Sequence, residues 1–483
     1  MKTGLGLILF GLGGCGSGLM AQSSGTFAAT GTMIARRFGH TATLLPSGKV
    51  LITGGSDESS TLSSAEIYNP ATGTFAPTGK MSRARRSHSA TLLADGRVLI
   101  TGGFGPLDST KPDSCPLPSS CGPLTSAEIY NPSSGAFTLI GEMSAPGGPA
   151  VLLPSGKAFI SAGFTFYPPA PAELYDPFSA AFSAIGAETP PTTATLLPNG
   201  QVLLTTADDW GPGYAMAGEI YDPSTDTFNS TNNINYETAT LLMNGKVLFI
   251  SDPDHDIVHY PNEAQLYDPA TGTFAAAGNM TVARDAHTAT LLPDGTALIA
   301  GSQLPGGGAL ASAEIYDPVL GTFRPTGSMI TARHSHEATL LNNGQVLITG
   351  GFQSFPTPTS SAELYTPQVL TPAPVLFALS PDGQQGAIWH ATTEQAASAN
   401  NPAITGDILS MYTTSLSLDS VIPPQVSVGG RPAQVLYFGA APGYPGYYQV
   451  NFRVPSGIAA DPAIPVRLLY LGRASNVVTI GVQ

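Results

Sequence analysis

The sequence has few charged residues, and most of them are acidic. Asp, Glu, Lys and Arg make up 11% of the chain, against roughly 25% in an average soluble protein. The chain has 19 Lys and Arg for 33 Asp and Glu, which gives a formal net charge of −14 at pH 7. A protein that binds nucleic acid needs a basic face. This balance therefore argues against a nucleic-acid partner.

Cysteine is also scarce, with three in 483 residues. Cys15 lies in the N-terminal segment, whereas Cys115 and Cys121 lie close together in one loop. In an oxidising compartment these two are expected to form a disulfide that staples the loop. Paired cysteines have little reactivity, which argues against a redox role. Beyond the N-terminal segment, no stretch approaches the roughly 20 apolar residues of a membrane-spanning helix.

Residues 1–22 read as an export signal. Leu5–Leu12 form the apolar stretch, and small residues lead to a cleavage site after Ala21. An alternative is that Leu12–Cys15 acts as a bacterial lipobox, in which case a lipid on Cys15 would tether the protein to a membrane. The segment predicts a secreted or cell-envelope protein, with a membrane contact only if Cys15 is lipidated.

The dominant pattern is a sequence motif that occurs seven times. It consists of a segment ending in Leu-Leu, a two-residue turn, a Val-Leu-Ile-Thr-like segment and a Glu-Ile-Tyr-like segment. Periods of about 40–50 residues indicate propeller blades or helical arrays. Thr, Val, Ile and Tyr between Gly, Asn and Asp joints indicate strands, so each repeat predicts one blade of an all-β chain. The marker tyrosines are Tyr68, Tyr130, Tyr175, Tyr221, Tyr267, Tyr316 and Tyr365.

A fourth strand follows the tyrosine in six of the repeats. The first copy is Gly73–Phe75, and no copy follows Tyr365. The missing copy precedes the first repeat, at Gly25–Phe27. The N-terminal strand is therefore predicted to complete the seventh blade, and the closed ring spans residues 25–367. Such closure leaves little exposed sheet edge.

The first repeat carries a recognisable set of residues. An Arg-x-x-His segment from Arg37 to His40 is followed by the turn glycine Gly48, the pair Gly54–Gly55 and the closing aromatic Phe75. This arrangement resembles a kelch repeat. The resemblance implies a seven-bladed kelch-type β-propeller over residues 25–367. It leaves the function open, because propellers of this kind host binding proteins and enzymes alike.

A second domain is predicted after the propeller. Residues 368–374 form a Pro-rich linker, and the alternating segments of residues 375–483 predict an immunoglobulin-like β-sandwich. Gly429–Ala433 and Val454–Gly457 are similar to a C-terminal domain found on secreted acidobacterial proteins. That resemblance implies an envelope or extracellular location and no particular activity.

Function in such a protein is expected on the loops that join one blade to the next and the second strand to the third. Blades six, seven, one and two carry basic residues there, which predicts one cationic arc that binds a carboxylate-bearing ligand. The alternative is that the Arg and His residues are structural and pair with Glu66, Glu128, Glu173, Glu219, Glu314 and Glu363. The predicted arc comprises Arg36, Arg37, Arg85, Arg86, Arg284, Arg333 and His334, with His40, His88, His287 and His336 beside it.

The opposite arc of the face is predicted to be acidic. Blade four contributes Asp208, Asp209 and Trp210 as candidate ligand-binding residues. In blade five, Asp252, Asp254 and Asp256 are a candidate calcium site, although a solvated acidic loop is the alternative. No other cofactor is predicted.

These features favour a secreted or cell-envelope binding protein, a monomer, that presents its loop face to a glycan or protein ligand. The alternative is an extracellular carbohydrate-active enzyme. Galactose oxidase-like enzymes resemble this chain in propeller and C-terminal sandwich, but their copper site needs a Tyr–Cys cross-link, a second Tyr and two His. With Cys115 and Cys121 paired to each other, copper is not expected.

Overall fold

The computed structural model describes residues 25–106, 121–163, 170–188, 191–205, 217–233, 236–251, 262–304 and 308–483. Every regular element in these ranges is a β-strand, which confirms the all-β prediction. Within the same ranges no helix has the length and apolarity needed to cross a bilayer. Residues 1–22, Cys115, Asp208, Asp209, Trp210, Asp252, Asp254 and Asp256 lie outside the described part of the chain.

Seven four-stranded antiparallel sheets form the propeller. The chain begins with β1 (Thr26–Ala29). Blade one comprises β2 (Thr41–Leu44), β3 (Val50–Thr53), β4 (Ala65–Asn69) and β5 (Thr74–Pro77). Blade two comprises β6 (Ser89–Leu92), β7 (Val98–Thr101), β10 (Ser126–Asn131) and β11 (Ala136–Glu142), with β8 (Phe104–Pro106) and β9 (Cys121–Pro123) as a separate ribbon between β7 and β10. Blade three comprises β12 (Gly147–Leu152), β13 (Ala158–Ala162), β14 (Ala170–Asp176) and β15 (Ala181–Glu188).

The remaining four blades repeat this order. Blade four comprises β16 (Thr193–Leu196), β17 (Val202–Thr205), β18 (Ala217–Asp222) and β19 (Thr227–Asn233). Blade five comprises β20 (Tyr236–Leu241), β21 (Val247–Ser251), β22 (Glu263–Asp268) and β23 (Thr273–Asn279). Blade six comprises β24 (Thr288–Leu291), β25 (Ala297–Ala300), β26 (Ala313–Asp317) and β27 (Thr322–Pro325). Blade seven comprises β28 (Glu337–Leu340), β29 (Val346–Thr349), β32 (Ala362–Thr366) and β1, with the ribbon β30 (Phe352–Ser354) and β31 (Thr357–Pro358) between β29 and β32.

The N-terminal strand closes the ring, as the sequence predicts. β1 pairs antiparallel with β32, with Phe27 opposite Tyr365. Blade one has the same register, with Phe75 opposite Tyr68. The ring centroids are 4.9 Å apart in the first pair and 4.8 Å in the second. The first and last strands of the propeller therefore share one blade, which confirms both the number of blades and the closure.

The core of the propeller lies between neighbouring blades. The second strand of each blade is apolar on both faces, and Val50, Leu51 and Ile52 are fully buried in blade one. Ile52 shares one cluster with Leu347 of blade seven. Burial of a Leu or Ile side chain contributes about 1.5–3 kcal/mol. The blades are thus held together by these strands rather than by each sheet alone.

The C-terminal segment forms one curled sheet, and the predicted two-sheet immunoglobulin-like sandwich is not confirmed. Its eight strands are β33 (Ile388–His390), β34 (Ile408–Thr413), β35 (Gln425–Val428), β36 (Arg431–Ala440), β37 (Tyr448–Arg453), β38 (Asp461–Tyr470), β39 (Arg473–Ala474) and β40 (Val478–Val482). They run in the order β33-β34-β37-β36-β35-β38-β39, with β40 beside β38. The long strand β36 pairs with β35 at its start and with β37 along the rest, so the two halves of the segment belong to one continuous sheet.

This C-terminal sheet packs against the face of the propeller that carries the turns between first and second strands. The Val421 N–H donates to the Met243 carbonyl at 2.8 Å, and the Arg431 guanidinium lies 4.1 Å from the centre of the Phe178 ring. A cavity of about 820 Å³ between the two parts is lined by Leu152 and Arg467 among others. In the part of the chain that the structure describes, this sheet does not cover the opposite face, which carries the other loops. We call it the loop face.

Candidate functional site

Four of the predicted ligand-binding arginines are buried beneath the loop face. Arg37, Arg85, Arg284 and Arg333 each have a relative exposure of 1% or less. Each donates from Nη2 to a glutamate of the same blade, at 2.8, 2.9, 2.9 and 2.7 Å in that order, and the partners are Glu66, Glu128, Glu314 and Glu363. A guanidinium held in this way does not reach a ligand. These buried ion pairs favour the structural alternative for the four arginines, and a role for them in ligand binding stays a prediction.

Each buried arginine also joins backbone segments. In blade two, Arg85 Nη1 donates to the carbonyls of Gly102 at 2.9 Å and Ser126 at 3.1 Å. The partner carboxylate of Glu128 accepts the Ser82 N–H at 2.7 Å. Burial lowers the pKa of Arg85, and the charge of Glu128 opposes that shift. The ion pair therefore fixes the incoming loop to the second and third strands of its blade.

Blades three and four lack the arginine, and their glutamates have different surroundings from those of the paired glutamates. Glu173 accepts hydrogen bonds from the backbone and hydroxyl of Ser144, so the same loop is held without a cation. In blade four, Glu219 Oε2 is buried and has no hydrogen-bond partner among the described residues. Burial raises the pKa of Glu219 accordingly.

The four recurring histidines connect neighbouring blades. In each, Nε2 lies within hydrogen-bond distance of a threonine hydroxyl in the preceding blade. The contacts are His40–Thr349 at 3.0 Å, His88–Thr53 at 2.9 Å, His287–Thr238 at 3.1 Å and His336–Thr288 at 2.9 Å. Burial, followed by the charge of Arg37, lowers the pKa of His40 to about 3. These histidines are neutral at physiological pH and act as links between blades.

The described residues do not fit a copper site. The Nε2 atoms of the four histidines are engaged by threonine, and they lie in four different blade junctions. Across the described ranges, no group of three or more His, Cys, Asp or Glu is placed to hold a metal ion. The candidate calcium residues Asp252, Asp254 and Asp256 fall outside these ranges, and so does Cys115 of the expected disulfide with Cys121.

A left-handed residue shapes the turn between each buried arginine and its histidine. Gly39, Ser87, Ala286 and Ser335 have φ values of 59°, 51°, 50° and 49°. This conformation is uncommon for residues other than glycine. The turn places the residue after the arginine against the loop that follows the second strand of the same blade. The resulting bridges join Phe38 to Ser56, Arg86 to Phe104 and His334 to Phe352.

Three of these bridged residues, Phe38, His334 and Phe352, form an aromatic cluster with Phe355 where blades seven and one meet. The centroids of Phe38 and Phe352 are 4.4 Å apart, and those of Phe352 and Phe355 are 5.5 Å apart. His334 stacks on Phe352 at 5.3 Å. Phe352 is buried, whereas Phe355 is 69% exposed. The cluster therefore has a buried base and an exposed tip on the loop face.

Two predicted arginines do reach the loop face near this cluster. Arg36 is largely exposed and pairs with Glu58 at 2.8 Å. Arg86 is half-buried, with its guanidinium 5.6 Å from the centre of the Phe104 ring, a cation–π geometry. His334, by contrast, is 2% exposed, and burial lowers its pKa. Of the predicted basic arc, Arg36 and Arg86 are thus the members available to a ligand.

The aromatic cluster was not predicted from the sequence. Its signal lies in departures from the repeat, because Phe38 stands where the other three blades have Arg86, Asp285 and His334. Nor was Glu337 predicted from the sequence; it begins the innermost strand of blade seven where blade one has Thr41. Burial raises the pKa of Glu337 to about 8. A carboxyl in that setting carries a proton at neutral pH.

Comparison with known proteins supports the fold assignment. A model of the kelch motif matches residues 37–82. Among solved structures, the chain is similar to one described as a novel fungal alcohol oxidase with catalytic diversity among the AA5 family, in complex with copper. The TM-score is 0.58 at 15% sequence identity, over 95% of this chain and 100% of the other. No curated protein sequence matches the chain.

These matches show a kelch motif at residues 37–82 and a fold similar to that of an alcohol oxidase, and the sheet topology shows the seven blades. At 15% identity the likeness concerns the fold alone. The similarity of residues 375–483 to a domain of secreted acidobacterial proteins stays a prediction.

Proposed function

We propose that this protein binds a protein ligand through the loop face, with the aromatic cluster as the centre of the contact and Arg36 and Arg86 at its edge. The observation that carries the proposal is the exposed tip of the cluster, Phe355, which rests on buried Phe352. Interface hot spots are enriched in aromatic residues and arginine that pack on a rigid base. The kelch motif supports the proposal because kelch propellers commonly bind protein ligands.

Export is part of the same proposal. Residues 1–22 would direct the chain out of the cytoplasm. In the oxidising compartment outside, a Cys115–Cys121 disulfide would hold the blade-two loop beside the binding surface. The blade-two ribbon supports this placement, because Phe104 at its start contacts Arg86. A glycan ligand on the same face is the alternative that the test below separates.

The test is a selection of displayed peptides and a glycan array on the purified protein, followed by affinity measurements on variants. Phe355→Ala combined with Arg86→Ala is expected to weaken binding of a selected peptide by more than tenfold. The matched control is Leu320→Ala, which also removes a side chain of 70% exposure but lies in a turn on the far side of the propeller.

Equal affinities of the double variant and the control for every selected peptide would refute the role of the loop face. If the protein captures glycans and no peptides, and the double variant weakens that capture, the ligand of the loop face is a glycan rather than a protein.

The enzyme alternative is favoured by one observation, the full-length structural similarity to a copper-bound alcohol oxidase. Its test is separate. The purified protein is incubated with copper, and metal content and peroxide release from galactose and benzyl alcohol are measured. Stoichiometric copper with peroxide release would establish oxidase activity and displace the binding proposal. If the protein binds no copper and releases no peroxide, the binding proposal stands.

A further inference from the structure

A second candidate site lies on the outer face of the C-terminal sheet, away from the loop face. In β34, Leu409 and Met411 are buried in the core of this sheet, so the alternate residues Ser410 and Tyr412 point outward. Trp389 of β33 is opposite Ser410, and Gln449 of β37 is opposite Tyr412. These residues form the floor of a cleft of about 690 Å³.

The walls of the cleft are aromatic. Tyr444 and Tyr447 come from the turn before β37, and Phe377 from the segment before β33. Tyr444 is 59% exposed and Tyr447 is 43% exposed. Large aromatic side chains that stay this exposed in one cleft mark a binding site more often than scattered surface residues do.

The rings stand at steep angles to one another. The planes of Trp389 and Tyr412 are 71° apart, those of Tyr412 and Tyr444 are 65° apart, and those of Phe377 and Tyr447 are 73° apart. The apolar face of a pyranose stacks on a ring face that lies parallel to it, so steeply inclined rings do not form one continuous platform for a sugar. A cation needs no such platform, because the negative potential of each ring face that it reaches attracts it.

The charge of the lining agrees with this reading. Neither Lys nor Arg lines the cleft, and Glu394 does. Within the described ranges, the Glu394 carboxylate forms no hydrogen bond or ion pair. Besides the tyrosines, the other ionisable side chain of the lining is His390, whose Nδ1 lies 3.3 Å from Asp407 Oδ2. The protein as a whole carries a formal net charge of −14, which attracts cations in solution.

We propose that this cleft is an aromatic cage for an organic cation of the quaternary ammonium class. The rings of Trp389, Tyr412 and Tyr444 surround the ammonium substituents, and Glu394 neutralises the charge. The site is independent of the loop face, so it stands whether or not the proposed function is correct. The proposal also assigns a binding function to the C-terminal sheet that is separate from that of the propeller.

The experiment compares two probes that have the same shape and differ in charge. Choline and its neutral carbon analogue 3,3-dimethyl-1-butanol are titrated into the full-length protein by isothermal calorimetry. Choline is expected to bind saturably, and the neutral analogue at least tenfold more weakly. Tyr444→Ala and Glu394→Gln are each expected to weaken choline binding at least fivefold. The matched control is Tyr437→Ala, a tyrosine of 44% exposure on β36 outside the lining, which should change affinity less than twofold.

Three results would overturn the proposal. Equal binding of the two probes would show an apolar cleft without preference for charge. Saturable binding of cellobiose or galactose that is lost in Tyr444→Ala, without choline binding, would show a sugar site. Absence of binding by every probe to a folded protein would show that the cleft is not a site of this kind.

Discussion

The buried Arg85–Glu128 pair allows the clearest test of the structural interpretation. Neither side chain is exposed to solvent, and their closest atoms are 2.9 Å apart. Arg85→Ala removes a cation and leaves the Glu128 carboxylate buried without it. Breaking a buried pair in this way costs about 3–5 kcal/mol. The carbonyls of Gly102 and Ser126 lose their donor as well, which places the loss toward the upper end.

Arg36→Ala is the matched control for this substitution. Arg36 also pairs with a glutamate at 2.8 Å, but both side chains are at least half exposed. Exposed pairs of this kind contribute about 0–1 kcal/mol. The two variants remove the same side chain from ion pairs of almost equal length, so burial is the variable that separates them.

The assay is differential scanning calorimetry of both variants and the parent protein. With about 2 °C of melting temperature per kcal/mol for a large domain, Arg85→Ala is expected to lower the propeller transition by roughly 6–10 °C, whereas Arg36→Ala shifts it by less than about 2 °C. Similar small shifts for both variants would refute the structural role, and would restore Arg85 as a candidate for ligand binding.

Two further predictions concern single positions. Glu337 ionises near pH 4.5 when unfolded and near pH 8 in the folded protein, so the folded state holds a proton that the unfolded state has lost, and stability falls as the pH rises through this window. The side chain keeps some solvent contact, which reduces the size of this effect. Glu337→Gln is therefore expected to raise the free energy of unfolding by on the order of 2 kcal/mol at pH 8 and to leave it unchanged at pH 4. Urea denaturation at both pH values measures this, and a gain independent of pH would contradict it. Gly102 has a φ of 63°, and an added Cβ would lie 2.0 Å from the Gly147 carbonyl oxygen, whereas Gly272 has a φ of 68° and open space. Gly102→Ala is therefore expected to cost at least about 2 kcal/mol, and Gly272→Ala about 1 kcal/mol; equal losses in thermal unfolding would show that the close approach does not matter.

The sequence alone was sufficient for the fold of the propeller. Its repeats encode each blade locally, through the Leu-Leu strand, the turn glycine and the tyrosine strand. The position of Phe27 before the first repeat also predicted the closure onto Tyr365, since a complete ring has one Phe for each Tyr. The form of the C-terminal segment was predicted less well. Its strands alternate as a sandwich does, but whether two layers separate depends on the path of β36, which pairs with both neighbours in turn.

What only the tertiary structure decided is which polar residues face solvent. Arg36 and Arg37 are adjacent in the sequence, yet Arg37 is buried on Glu66 and Arg36 reaches the surface. The difference arises because the left-handed turn at Gly39 and the strand that carries Glu66 meet only after the blade has folded. The same holds for Phe38, which is distant in sequence from Phe352 and Phe355 and becomes their neighbour through ring closure. Local patterns determine strands and turns, whereas exposure and neighbourhood depend on long-range packing that no single repeat contains.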